Sequence, residues 1–151
     1  FMDVYAMAAR AHMARYGMEK GYIKEIIEWD LSKTPLPLPD AGFDIIVVSE
    51  VLEHVRDPEG IIREADRLLK RGGILIITVP LDTPLSAWNV LFSLECIMLG
   101  DILGNGYYRS RCGHINHFSV KEIFGICQNS GFAITEKDVT LMNIGIAARK
   151  K

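Results

Sequence analysis

The residues best equipped for chemistry are Glu50, Glu53 and His54, which close the run Phe43-Asp44-Ile45-Ile46-Val47-Val48-Ser49-Glu50-Val51-Leu52-Glu53-His54-Val55, and the later pair His114 and His117. An imidazole titrates near neutral pH, so His54 and His117 are candidate catalytic bases. A structural bridge is the plainer role for each. If the turn after Ser49 is helical, Glu50, Glu53 and His54 fall at i, i+3 and i+4 and share a face. With His114 or His117 they hold the donors that a divalent cation needs, an alternative to the favoured assignment, which takes no metal. Tyr107, Tyr108, Arg109, Arg111 and His114 form a candidate substrate set. The arginines suit a phosphate or carboxylate and the tyrosines a pocket wall, although a solvated loop explains them equally.

Two short apolar runs must position these groups. Phe43–Ser49 and Ile74–Val79 are rich in β-branched residues, as expected of strands buried on both faces in a parallel sheet. Between them Asp57 can cap a helix, Pro58 suits its first position, and Ile61, Ile62, Ala65, Leu68 and Leu69 line one stripe. Lys70 and Arg71 suit that helix's negative end and Gly72 its left-handed cap. The unit reads as βαβ, with Glu50 at the carboxyl end of the first strand, where open α/β sheets bind ligands.

The flanking segments are less sharply written. Residues 6–16 favour a helix that Gly17 can stop, and Tyr22–Trp29 suggests a strand ending at Asp30. Thr34–Gly42 carries three prolines and reads as a loop. Leu85–Leu103 is apolar almost all round, with a thin polar stripe of Ser86, Asn89, Ser93 and Gly100. Such a helix needs cover: the domain itself, a dimer partner, a hydrophobic acceptor beneath a lid, or a membrane surface. It is too interrupted to span a bilayer. Ser119-Val120-Lys121-Glu122 is a capping box, with Phe118 and Ile123 as its staple, opening a helix to about Asn129 that Gly131 ends. Phe132–Val139 and Leu141–Arg149 are expected to pair antiparallel.

Composition narrows the classes. The 151 residues amount to one domain, 49% of them apolar, so a real core is available. A formal net charge of −2 provides no basic field for nucleic acid. Three cysteines, Cys96, Cys112 and Cys127, without CxxC spacing point to a reduced, cytoplasmic protein without a structural metal.

In order along the chain, the motifs resemble a class I S-adenosylmethionine-dependent methyltransferase. Leu36-Pro37-Leu38-Pro39-Asp40-Ala41-Gly42-Phe43-Asp44 resembles that family's "LPFPDxxFD" approach to its fourth strand, and Ser49–Val55 its "EVLEHV" segment. Leu68-Leu69-Lys70-Arg71-Gly72-Gly73 resembles "LLKPGG", with Arg71 where proline is usual. His114-Ile115-Asn116-His117-Phe118-Ser119 and Ser130-Gly131-Phe132 resemble the late "HxxFFS" and "AGF" elements. Each motif is weak alone; the ordered set is specific. The resemblance implies a three-layer α/β/α Rossmann-like fold, a mostly parallel sheet ordered 3-2-1-4-5-7-6 with an antiparallel last strand. It implies one domain over residues 1–151, with an acceptor-side or lid insertion at about 81–118. It also implies S-adenosylmethionine as cofactor. Asp3 and Val4 would then end the second strand, with Asp3 accepting from the ribose hydroxyls. Asp30 and Leu31 would meet the adenine, and Ser49 and Glu50 would complete the cofactor side. The acceptor would be a small molecule, lipid or glycan, and residues 85–103 a possible homodimer contact. Asp30-Leu31-Ser32-Lys33 resembles relatives of sugar and cell-envelope pathways. Glu-x-x-Glu-His metal sites occur in ubiquinone-pathway and small-RNA O-methyltransferases of the class.

The departure is at the front. The family's first strand and glycine-rich loop have no counterpart here, and no GxGxG-like run exists in the sequence. The expectation is a fragment, or a chain whose N-terminal segment lies elsewhere, binding little cofactor unless that strand is supplied. A competing reading is a non-catalytic methyltransferase-like protein acting through a partner. A dehydrogenase fragment explains Asp3 but not the late motifs.

Overall fold

The computed structural model describes residues 5–6, 16–22, 24–27, 29–31, 33–110 and 114–151. Asp3, Val4 and Arg111, each assigned a role from the sequence, lie outside these residues, as does Cys112. The chain divides into two compact units, Phe1–Leu36 and Pro37–Lys151.

In the first unit, β1 (Tyr5–Ala6) pairs in parallel with β2 (Glu25–Ile26). Among the described residues, the strand expected from Tyr22 to Trp29 is limited to Glu25–Ile26. Most of the helix expected over residues 6–16 lies outside the described residues; residues 16–19 are helical and include Gly17. The break comes at Gly21, whose φ of +73° is left-handed. Asp30 begins a turn, accepting from Lys33 N at 2.9 Å, and Trp29 Nε1 donates to Lys33 O at 2.7 Å.

The second unit is built on a four-stranded sheet ordered β3–β4–β6–β5. β3 (Phe43–Ser49) and β4 (Leu69–Pro80) are parallel; β6 (Asn143–Lys150) runs antiparallel to both β4 and β5 (Phe132–Val139). This arrangement matches the expected 4-5-7-6 half of the family sheet. Leu75, Ile77 and Val79 of β4 and Ile144, Ile146 and Ala148 of β6 supply the buried face. α1 (Pro58–Leu68) contributes Ile61, Ile62, Ala65 and Leu68 to the core, and Asp57 caps it by accepting from Gly60 N at 2.8 Å.

Three expectations about these elements need correction. The helix ends at Leu68, because fully buried Leu69 is already extended and paired with Phe43. Gly72 is left-handed (φ +75°) as expected, but it bends the start of β4 and does not cap the helix. β3 is not buried on both faces: it is an edge of this sheet, with Ile45 and Val47 exposed.

The apolar stretch 85–103 is helical but changes pitch. α2 (Ala87–Glu95) continues directly into a π-helix, Cys96–Ile102. No residue of α2 is buried, and Leu91, Leu94, Met98, Ile102 and Leu103 are exposed, so the second unit buries only Cys96 and Gly100 of this segment. A short α3 (Gly106–Arg109) folds back on it. A Cβ on Gly100 would lie 2.6 Å from Arg109 N, so only glycine admits that approach. α4 (Val120–Asn129) starts at the expected capping box, with Phe118 and Ile123 both buried, and stops before Gly131 at φ +90°.

Candidate functional site

Every group in this site belongs to the second unit, around the carboxyl ends of β3 and β4. Immediately after β3, Glu50 takes a left-handed backbone (φ +52°), unusual for a residue with a Cβ. Two bonds to β4 fix it: Glu50 N donates to Thr78 O at 3.0 Å, and Thr78 Oγ1 donates to Glu50 Oε1 at 2.9 Å. The Ser49 and Thr78 hydroxyls lie 2.7 Å apart. Both Ser49 and Glu50 are exposed.

The chain then closes a 3₁₀ turn, Leu52–His54. Leu52 and Glu53 are buried and His54 is partly exposed. Because the turn starts after Glu50, that carboxylate leaves the face that helical spacing gave it. The group that closes up among the described residues is Glu53, His54 and His114, whose donor atoms all lie within 4.8 Å of one another. Of the two later histidines the sequence left open, His114 joins this group. Its ring meets His54 edge-on at 4.7 Å and stacks with Phe92 at 5.1 Å and Trp88 at 6.1 Å, both on α2.

Burial sets the electrostatics. It pushes the Glu53 carboxyl above its ordinary range, with the Glu50 charge adding to the effect, while the backbone hydrogen bond and His54 oppose it. It also pushes His114 down, helped by the neighbouring imidazoles of His54 and His117 and opposed by Asp82. Glu53 Oε2, His114 Nδ1 and Trp88 Nε1 are buried without a hydrogen-bond partner. Orphaned polar atoms of this kind are costly and call for a partner such as an ordered water or a ligand. One carboxylate and two imidazoles are donors that a divalent cation can take.

His117 is placed differently. Its Nδ1 lies 2.7 Å from Oδ2 of Asp82, whose side chain is only 4% exposed. The other Asp82 oxygen accepts from Asn89 Nδ2 on α2 at 2.9 Å. Asp82, Asn89, Trp88 and Phe92 were not singled out from the sequence for this site. The available signals were an acid two residues beyond a strand end and the polar stripe of the apolar helix, which includes Asn89. Tyr107 and Tyr108 share α3, meeting edge-on at 5.5 Å, and Arg109 ends it. In the first unit Asp30 is exposed, 3.8 Å from the Lys33 ammonium, and Leu31 is half-buried.

Residues 5–137 match the family model described as a methyltransferase domain. The chain belongs to that family. This methyltransferase domain is 34% identical over 148 residues to a ubiquinone/menaquinone biosynthesis C-methyltransferase of a Caulobacter species, covering 91% of the chain and 57% of that relative. It is 34% identical over 65 residues to a ubiquinone biosynthesis O-methyltransferase of Klebsiella pneumoniae, covering 43% of the chain and 25% of that relative. The chain thus spans little more than half of the first relative's length and a quarter of the second's. Among solved structures, a putative methyltransferase from Bacillus halodurans superposes with a TM-score of 0.72 at 16% identity, over 99% of this chain and 83% of that one. At that identity the likeness concerns the fold, and it bears out the Rossmann-like architecture expected for this methyltransferase domain.

Proposed function

We propose that this methyltransferase domain transfers a methyl group from S-adenosylmethionine to a small-molecule acceptor with an aromatic or otherwise apolar body. The observation that carries this reading is the histidine group beside the carboxyl ends of β3 and β4, walled by Trp88 and Phe92. The names of the two relatives, both in ubiquinone biosynthesis, support an acceptor with a ring and an apolar tail. The exposed apolar residues of 85–103 suit such a tail. Asp82, Trp88, Phe92, His114 and His117 all fall within 81–118, which supports that span as the acceptor-side segment.

Toward the cofactor, the donor chemistry fits. In the second unit the exposed Glu50 carboxylate and Ser49 hydroxyl are acceptors of the kind that ribose hydroxyls require, and in the first unit the exposed Asp30 carboxylate is one that suits an adenine amino group. When bound, S-adenosylmethionine supplies an electrophilic methyl on a sulfonium. The chain's own residues then hold the acceptor in line, exclude water and take a proton where the attacking atom carries one. His54 and His117 are the groups for that last step; Tyr107, Tyr108, Arg109, Arg111 and His114 complete the acceptor side.

The test is label transfer by the native protein, using methyl-labelled S-adenosylmethionine and a panel of phenolic and quinol acceptors. Label in an extractable product supports the reading. Cofactor binding without transfer to any acceptor, or no cofactor binding at all, overturns this reading and favours the non-catalytic alternative. A second reading rests on the 4.8 Å cluster and its orphaned atoms: Glu53, His54 and His114 hold a divalent cation that orients the acceptor oxygen. Loss of transfer on chelation, restored by magnesium or manganese, supports it; indifference to chelator retires it.

A further inference from the structure

The contact between His117 and Asp82 is built by the backbone on both sides. Leu81 bridges in parallel to Phe118, Asp82 N donates to Phe118 O at 3.2 Å, and Leu81 N donates to Met142 O at 2.8 Å. The segment leaving β4 is thereby fastened next to the residue following His117. The Asp82 side chain is almost wholly buried, yet both of its oxygens are engaged, Oδ2 by His117 Nδ1 and Oδ1 by Asn89 Nδ2. The His117 side chain is 63% exposed. One side of the imidazole is therefore anchored in the protein while the ring as a whole stays open to solvent.

This asymmetry assigns the proton. A carboxylate only accepts hydrogen bonds, so the hydrogen between it and the ring sits on Nδ1. Nε2 is then left with the lone pair. A buried acid that orients an imidazole and fixes its tautomer, without itself taking the proton, is the arrangement by which histidine becomes an effective base. His54 Nε2 stands 3.8 Å from Glu53 Oε1.

We propose that Asp82, braced by Asn89, is a positioning residue that makes His117 Nε2 the proton acceptor for a methyl acceptor bearing a hydroxyl. This inference rests on the methyl-transfer reading above and deepens it by naming the acceptor class, a phenol- or enol-type oxygen. The acceptor oxygen attacks the methyl carbon, and the new C–O bond forms as the S–C bond breaks, its electron pair remaining on sulfur. The hydroxyl proton passes to Nε2. The resulting imidazolium faces the Asp82 carboxylate and afterwards releases its proton to water. Asn89 couples the apparatus to α2, the helix that also carries Trp88 and Phe92, so one element sets both the base and the acceptor wall.

The experiment is long-range imidazole ¹⁵N NMR on the full chain near pH 8, without cofactor or acceptor, comparing wild type with Asp82→Asn and Asn89→Ala. Wild-type His117 is expected to show a protonated Nδ1 and a bare Nε2. Asp82→Asn is expected to abolish that preference and Asn89→Ala to weaken it. A wild-type ring protonated on Nε2 overturns the proposal, even if neither variant folds, and so does a preference unchanged in well-folded Asp82→Asn. In turnover with a phenolic acceptor, Asp82→Asn is expected to lower kcat on the order of 100-fold with KM little changed. Cofactor binding, followed separately by calorimetry, reports on the methyl-transfer reading alone. A correct tautomer without cofactor binding therefore fails that reading and leaves the Asp82–His117 pairing intact.

Discussion

Asn116 holds Leu52 across 64 positions of chain: its Nδ2 donates to Leu52 O at 2.8 Å and also to Val55 O at 2.5 Å. Ile115 N and Asn116 N both donate to Glu53 O, at 2.8 and 3.1 Å. The loop bearing His114 and His117 is thereby stitched to the turn bearing Glu53 and His54. Asn116→Ala removes both side-chain bonds and strips two carbonyls of a donor. The expected loss is about 2 kcal/mol in chemical denaturation, with weaker divalent-cation binding if the cluster holds one. Asn116→Asp, which has no N–H to donate, should be at least as damaging. A variant as stable as wild type would show that the loop is held by other contacts.

Glu53 provides a pH signature. Its carboxyl is held above the ordinary 4.5, so the native protein binds that proton more tightly than the unfolded chain does. The stability it contributes is fully present below 4.5 and is lost as pH rises through the native value. His114 works in the other sense. Its value is held below the ordinary 6.5, so its contribution is present above 6.5 and is lost as pH falls through the native value. With chelator present, Glu53→Gln is expected to gain about 1–3 kcal/mol over wild type at pH 7 and nothing at pH 4, as read by denaturant midpoints. An equal change at both pH values would mean that the charge of Glu53 is irrelevant to the fold.

The approach of α3 to the π-helix makes a packing prediction. Gly100→Ala places a methyl group 2.6 Å from Arg109 N, and a backbone atom cannot step aside without moving the helix. The expected cost is about 1–3 kcal/mol, with changed environments for Tyr107 and Tyr108. Gly106→Ala, where nothing lies within 4 Å of the added carbon, is the control and should be nearly neutral. Equal behaviour of the two variants in thermal melts would contradict the close approach.

The sequence was legible where one residue type leaves only one local option. Asp57-Pro58 started α1, Ser119 and Glu122 closed a capping box, and Gly131 took the left-handed position. The strand expected over Phe132–Val139 spans those residues. Tertiary pairing overrode local signals elsewhere: Leu69 has the right spacing for the helical stripe, yet the sheet takes it. The site was only half visible, because spacing along one segment cannot say which distant residue will arrive. Glu50 and Glu53 are three apart, but the left-handed step at Glu50 sends one to Thr78 and the other into the histidine group. His114 and His117 are also three apart, and only their partners on other elements separate a cluster member from an Asp82-bound ring. The exposure of the 85–103 segment had no sequence signal either, since an apolar helix reads the same whether covered or open.

Glu50 joins strain to function in a way that can be separated by substitution. A left-handed backbone costs a residue with a Cβ on the order of 1 kcal/mol, a cost glycine escapes. Such strain at the carboxyl end of a strand, held by bonds to Thr78, marks a position kept for what the side chain does. Glu50→Ala and Glu50→Gly both delete the carboxylate and its bond from Thr78, but only glycine relieves the backbone. Glu50→Gly is therefore expected to melt about 3 °C above Glu50→Ala. If the carboxylate serves the cofactor, both variants should lose affinity for S-adenosylmethionine alike, by about tenfold or more in calorimetry. Equal melting temperatures would show that the left-handed step carries no strain. Undiminished affinity in both variants would remove Glu50 from the cofactor side.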